Sequence, residues 1–294
     1  MKTAEAQALA HTDPDALAPS AGDGATAEAE FKSAYEKDDV AAIDPRCVPQ
    51  ELDGMPPIGD EIVPPDYDQR DHDTWTMLYE RMMEALPGRA SDAYLDGART
   101  LGLDGSGIPA LRDLSARMEK ETGWRVARVP GLVHERDFFK LLSERLFPST
   151  DYIRGPEELD YTPAPDCFHD IFGHMPMLTD PAFADFYQLF GKAALNAEGQ
   201  DRVSLERFHW FTAEFGLIEQ QGELRIFGAG IMSSKKEVFN ALSDDVDRRP
   251  FDPASIIRQD YDVWHLQETL FVLKSFESLV DGFRGWARSR NLLD

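Results

Sequence analysis

Of the seven histidines in the 294-residue chain, at positions 11, 72, 134, 169, 174, 209 and 265, only His169 and His174 lie close enough in sequence to clamp a metal locally. They sit in Pro165-Asp166-Cys167-Phe168-His169-Asp170-Ile171-Phe172-Gly173-His174. Five positions apart on an ideal α-helix, two imidazoles point about 140° apart around the axis. They converge on one ion only if the first lies in the opening turn or the helix contains a π-bulge, a distortion that recurs at functional sites. On spacing alone, two unrelated histidines, one packed and one facing solvent, are the simpler reading.

A metal needs a further donor, and Glu214 is the only acidic residue in the otherwise apolar stretch His209-Trp210-Phe211-Thr212-Ala213-Glu214-Phe215-Gly216-Leu217-Ile218. An ionised carboxylate is rarely buried unpaired, so Glu214 requires either an Arg such as Arg207 or Arg225, or a metal. Two neutral imidazoles and one carboxylate would form the facial triad of non-heme Fe(II) oxygenases, which leaves positions open for water, oxygen or substrate. A zinc-dependent hydrolase is the alternative metal chemistry. Zincins, however, place His at i and i+4 with Glu beside the first, whereas here the second His comes one residue later and the neighbouring acid is Asp170. A dinucleotide site is weaker still: Leu224 to Phe227 runs into Gly228-Ala229-Gly230, but no third glycine follows.

The composition bounds the partners. Hydrophobic residues make up 42% and aromatics 11% of the chain, which suits a globular core rather than a disordered or fibrous protein. Thirty bases against 54 acids give a net charge of -24, so no nucleic acid and no anionic membrane surface is expected as partner. A non-catalytic acidic binding protein remains the reading of a different class. Cys47 and Cys167 lack the spacing of a disulfide framework or a Cys-based zinc site. No run of about 18 apolar residues and no three-part signal peptide is present, so a cytoplasmic location is expected.

The elements that must position these residues divide the chain at about residue 64. The first 68 residues hold 16 acids and four bases, half the net charge, and prolines at 45, 49, 56, 57, 64 and 65. Residues 1–64 are therefore expected to be an acidic, Pro-rich, largely disordered arm, its proline-rich part laid on the domain formed by 65–294. In that domain Trp75, Leu78, Tyr79, Met82, Met83 and Leu86 repeat at helical spacing from Asp73 until Pro87-Gly88. Further helices are expected at 91–101, from Pro109 to Gly123, and through Phe138 to Leu146, closed by Pro148, with an irregular loop over 149–164. Others should occupy 165–178, 181–196 and 201–219, then follow a capping box at Ser234 to Glu237, and close the chain from Trp264. Arg125 to Val129 and Glu223 to Phe227 read as strands, with a turn at Gln220-Gln221-Gly222 and a loop at 228–230. The fold class is mainly α with minor β.

Three ordered blocks carry a family resemblance: Tyr161-Thr162-Pro163-Ala164-Pro165 running through His174, Trp210 to Leu217, and Phe227-Gly228-Ala229-Gly230-Ile231-Met232-Ser233-Ser234. Together they resemble the pterin-dependent aromatic amino acid hydroxylases over about residues 65 to 285, and most closely the short bacterial phenylalanine 4-hydroxylases. The resemblance implies a single catalytic domain that uses Fe(II), tetrahydropterin and dioxygen to hydroxylate an aromatic amino acid. It implies His169, His174 and Glu214 as iron ligands. It assigns Arg154 to the substrate carboxylate, Asp166 to orienting Arg154, and Thr162, Pro165, Trp210 and Ser233 to the amino acid pocket. Gly131, Leu132, Val133 and Phe138 match the pterin-binding segment. Asp170, also assigned to the pterin site, stands where most relatives have Glu, one methylene longer, and His209 where Tyr is more usual. Val263 aligns with a position that is apolar in phenylalanine enzymes and acidic in tyrosine enzymes. With Trp210, which tryptophan hydroxylases tend to replace by Phe, it implies L-phenylalanine as substrate and L-tyrosine as product, the alternatives being phenylalanine 3-hydroxylase and tryptophan hydroxylase. No heptad tail of the kind that joins the animal enzymes into tetramers follows the last helix, so a monomer is expected.

Overall fold

Helix starts follow their caps. In the computed structural model, which describes residues 44–160 and 162–294, Asp68 opens α1 (Gln69–Ala85) with a capping box to Asp71, four residues earlier than the apolar pattern predicts. Ser91 caps α2 (Asp92–Leu101), and α3 (Leu111–Thr122) begins two residues after Pro109. β1 (Arg125–Val129) lies where a strand is expected, and α4 (Glu135–Ser143) buries Phe139, Leu141 and Leu142. This helix does not run on to Pro148. Arg145 turns the backbone at φ 58°, and Leu146–Thr150 is instead strand β2, parallel to β1, with Pro148 opposite Ala127. Proline is tolerated there because each strand of a two-stranded sheet has an unpaired edge.

The centre of the chain is helical but not uniformly α. His169–His174 is π-helical and runs into a 3₁₀ segment, Met175–Thr179. Asp180 then caps α5 (Pro181–Leu195), its side chain accepting from the Phe183 amide. α6 (Gly199–His209) passes directly into a second π-helical turn, Trp210–Glu214. The helix expected to reach 219 ends there. Leu217–Gln220 is strand β3, joined by a two-residue turn, Gln221-Gly222 at φ 56° and 81°, to the antiparallel β4 (Glu223–Ile226).

α7 (Ala229–Met232) occupies most of the expected loop at 228–230, and Ser234 caps α8 (Lys235–Ala241) without the reciprocal half of a capping box. After β5 (Asp247–Pro250) and α9 (Pro253–Ile256), the run predicted as one helix from Trp264 divides in two. Its first part is β6 (Thr269–Leu273) and its second α10 (Phe276–Ser289). Leu270-Phe271-Val272-Leu273 satisfies a fully buried strand as well as a helix face, and β6 pairs in parallel with both β3 and β5 in a sheet of order β4-β3-β6-β5. Ser275 then starts α10 with a capping box to Ser278.

α5 is the axle of the core. Phe183, Phe186, Tyr187 and Phe190 are all buried on it, and Phe186 meets Phe283 of α10 edge-on at 5.3 Å while Phe190 meets Phe139 of α4 at 5.6 Å. Each such ring removed from water contributes about 1.5 to 3 kcal/mol. On the other flank Phe168 stacks on Phe172 at 4.7 Å under Trp75 of α1, so the helix carrying the paired histidines rests on an aromatic floor.

The arm expectation falls mostly on residues before 44, outside the described residues. From Asp44 onward the chain lies on the body. Arg46 bridges Asp44 and Glu158, Gln50 pairs with Val133 and Ile58 with Ala127, and Cys47 and Ile62 are buried. No helix among the described residues is long and apolar enough to cross a membrane.

α2 approaches the segment after His174 so closely that a Cβ on Gly97 would lie 2.1 Å from the Pro176 carbonyl oxygen. Gly97→Ala is therefore expected to destabilise the protein by about 1 to 3 kcal/mol, seen as a lowered thermal midpoint. An unchanged midpoint would show that this contact yields freely.

Candidate active site

Two π-turns bring three donors to one point. In the first, the Met175 amide bonds to the Asp170 carbonyl, the i to i−5 closure of a wider turn, and His169 and His174 face one another with their Nε2 atoms 3.1 Å apart. In the second, the Phe215 amide bonds to the Trp210 carbonyl at 2.8 Å, and Glu214 is delivered to the same place. Its Oε1 lies 3.1 Å from His174 Nε2 and its Oε2 3.6 Å from His169 Nε2. The three side chains are the group of donors within 4.8 Å of one another, among the described residues, that suits a metal ion. Neither arginine considered for Glu214 serves it: Arg207 pairs with Asp260 and the Ile257 carbonyl, and Arg225 with the Leu224 carbonyl.

The protonation states suit a cation. Burial drives the His169 imidazole down to about 4 against the opposing pull of Glu214, so the ring is neutral at pH 7. Burial also pushes the Glu214 carboxyl up, but His174, His169 and the hydrogen bond from His174 outweigh it and hold the group below the usual carboxylate range. Ser233 fixes the His169 tautomer. Its hydroxyl donates to the Ala229 carbonyl at 2.8 Å and therefore accepts, at 2.9 Å, from His169 Nδ1–H, which turns the Nε2 lone pair toward His174 and Glu214. Two imidazoles and a carboxylate, oriented this way, fit a divalent transition metal.

The cluster opens into a cavity of about 560 Å³. Every residue singled out from the sequence lines it except Asp166, which lies wholly buried behind Arg154. Asp166 grips the Arg154 fork through Nε at 2.8 Å and Nη2 at 2.9 Å, and also accepts from the Arg154 and His169 amides at 2.9 and 3.0 Å. Burial works against the Asp166 charge, yet the guanidinium keeps its pKa below the usual value. Asp166 engages Nε and Nη2 of Arg154, and the arginine also lines the cavity.

Trp210, Val263 and Pro165 form an apolar part of the wall, with Tyr261 stacked on the Trp210 indole at 4.5 Å. Thr162 donates to the Ala164 carbonyl at 2.9 Å. On the other side lie Gly131, Leu132, Val133 and the half-buried Phe138. Gln50 already uses part of that strip, donating to the Leu132 carbonyl at 2.9 Å and accepting from the His134 amide at 2.8 Å. Asp170 accepts from the Thr150 amide at 2.8 Å, and burial pushes its carboxyl well above the usual range.

His209 had no assigned role in the sequence, and the structure provides one. Its ring stacks on Tyr187 at 5.6 Å, shares a hydrogen bond of 2.7 Å between Nε2 and the Tyr187 hydroxyl, and sets Nδ1 3.7 Å from Glu214 Oε1. The sequence signal was its own oddity, a polar ring at the start of an apolar run. Tyr261, two residues before Val263, has no signal in the sequence for its place on the Trp210 indole.

A family model described as biopterin-dependent aromatic amino acid hydroxylase matches residues 55–292. The phenylalanine-4-hydroxylase of Ralstonia nicotianae is 45% identical over 220 residues, spanning 74% of this chain and 70% of that protein, and the one of Pseudomonas aeruginosa is 44% identical over 213 residues, spanning 72% and 81%. Among solved structures, the phenylalanine hydroxylase of Chromobacterium violaceum with bound iron(III) and 7,8-dihydrobiopterin superposes with a TM-score of 0.73 at 39% identity, covering 76% of this chain and 83% of that one.

Ser233→Ala removes the acceptor that sets the His169 ring. The variant is expected to fold but to bind a divalent metal about 10- to 100-fold more weakly, read by titration with cobalt(II) absorption. Unchanged affinity would show that the ring needs no such support.

Proposed function

The chain belongs to the biopterin-dependent aromatic amino acid hydroxylases, and we propose that it converts L-phenylalanine to L-tyrosine, with Fe(II) held by His169, His174 and Glu214. The observation that carries this reading is the meeting of that donor triad with the Arg154 fork and the Trp210 wall in one cavity. Family membership removes the zinc-dependent hydrolase and the non-catalytic binding protein. Iron bound at the triad would activate dioxygen, and tetrahydropterin would supply the two electrons that reduce the second oxygen atom while the first enters the ring.

The protein's own residues supply geometry. Arg154, held by Asp166, binds the substrate carboxylate on its Nη1 edge, and Thr162, Pro165 and Ser233 border the amino acid. Trp210 and Val263 enclose the ring with apolar surface. A phenol hydroxyl facing that wall has no partner, which costs about 1 to 3 kcal/mol and favours phenylalanine over tyrosine. Phe138 offers its ring to the pterin beside Gly131, Leu132 and Val133, and Asp170 faces the same space. α10 turns Phe276, Leu279, Val280 and Phe283 into the core, which suits a helix packed on its own chain and the reading of a monomer.

Purified protein incubated with Fe(II), tetrahydropterin, oxygen and each aromatic amino acid is expected to form para-tyrosine from phenylalanine fastest. Meta-tyrosine as main product, or faster turnover of tryptophan, would overturn the assignment. Glu214→Ala should lose both iron and turnover. Arg154→Lys should keep its iron while KM for phenylalanine rises about tenfold or more, because a point charge cannot replace the fork.

A further inference from the structure

The cavity wall that carries Tyr261 and Val263 belongs to the segment between α9 and β6, which has no ladder of its own over residues 259–268. Something else must hold it in shape. Gln267 is only 5% exposed, although its neighbours Leu266 and Glu268 face solvent. A buried amide must use its donors and acceptors within the protein, and this one does. Its Oε1 accepts from the Trp210 indole N–H at 2.8 Å, and its Nε2 donates to the carbonyls of Asp262 at 2.7 Å and His265 at 2.9 Å. Its backbone is also taken: the amide donates to Glu237 Oε1 at 3.2 Å and the carbonyl accepts from Asn240 at 2.9 Å, both on α8.

One side chain thus joins the indole to the loop. We propose that Gln267 is a positioning residue for substrate selection, holding Trp210 and the Tyr261–Val263 stretch as a single wall whose shape chooses among aromatic amino acids. The hydrogen bond fixes the indole about its Cβ–Cγ bond with the polar edge toward Gln267. Tyr261, stacked on the same indole at 4.5 Å and 20°, follows it. Val263 lies between Asp262 and His265, the two residues whose carbonyls the amide draws together. The inference rests on the reading of this cavity as an aromatic amino acid site.

The test compares kcat/KM for phenylalanine with that for tryptophan in the iron-loaded enzyme, its Gln267→Leu and Trp210→Phe variants, and the double variant. Gln267→Glu is isosteric but turns an oxygen toward two carbonyls, and it reads the same ratio if the leucine variant does not fold. Loss of the amide is expected to lower the phenylalanine preference about tenfold and raise KM for phenylalanine, with iron content and KM for tetrahydropterin unchanged. Because Gln267 acts through the indole, Gln267→Leu should change the ratio less than about threefold when Trp210 is already Phe. A lowered thermal midpoint with an unchanged ratio would overturn the proposal, as would a full effect in the Trp210→Phe background. Failure of the unsubstituted enzyme to hydroxylate phenylalanine would overturn the parent reading and this one together.

Discussion

An ionised carboxylate taken out of water costs several kcal/mol unless charge or donors meet it where it lies. Glu214 is 13% exposed and has no arginine ion-pair partner among the described residues; what it meets are the rings of His174 and His169. The rest of the architecture answers to that requirement. α6 must end in a widened turn to deliver the carboxylate, the segment after Cys167 must widen to turn two imidazoles the same way, and α5 must lie close behind to supply Tyr187 and the aromatic packing under both.

Asp166 performs the complementary task. One oxygen takes the His169 amide and an Arg154 guanidinium nitrogen, and the other takes the Arg154 amide and Nε. A single anion therefore registers the Arg154 guanidinium against the backbone of the helix that carries His169 and His174. The separation between them is set inside the protein and does not depend on loop conformation at the surface, which is where positioning accuracy of a few tenths of an ångström is usually lost.

Much of this was legible because its signals are local. Asp180-Pro181, Ser91 and Ser234 announce helix starts by chemistry that operates within one turn, and all three start where expected. Strands were harder. Leu146 to Thr150 contains a proline, Leu217 to Gln220 continues a helical run, and Leu270 to Leu273 fits either period, so partners far along the chain decide their form. In the site, the five-residue histidine spacing stated its own condition, a first histidine in the opening turn or a widened turn, and the structure contains the widened turn. Gln267 gave no signal at all, since its meaning lies in a bond to a residue 57 positions away.

The widened turns also limit how the gene can change. Each holds one more residue per turn than an α-helix would, and such turns are a local liability in stability. A change that let His169–His174 relax to a regular α-helix at its present length would improve the helix, yet it would restore the angle of about 140° between the two imidazoles and separate the donors. Selection for stability and selection for activity therefore oppose one another at these two turns.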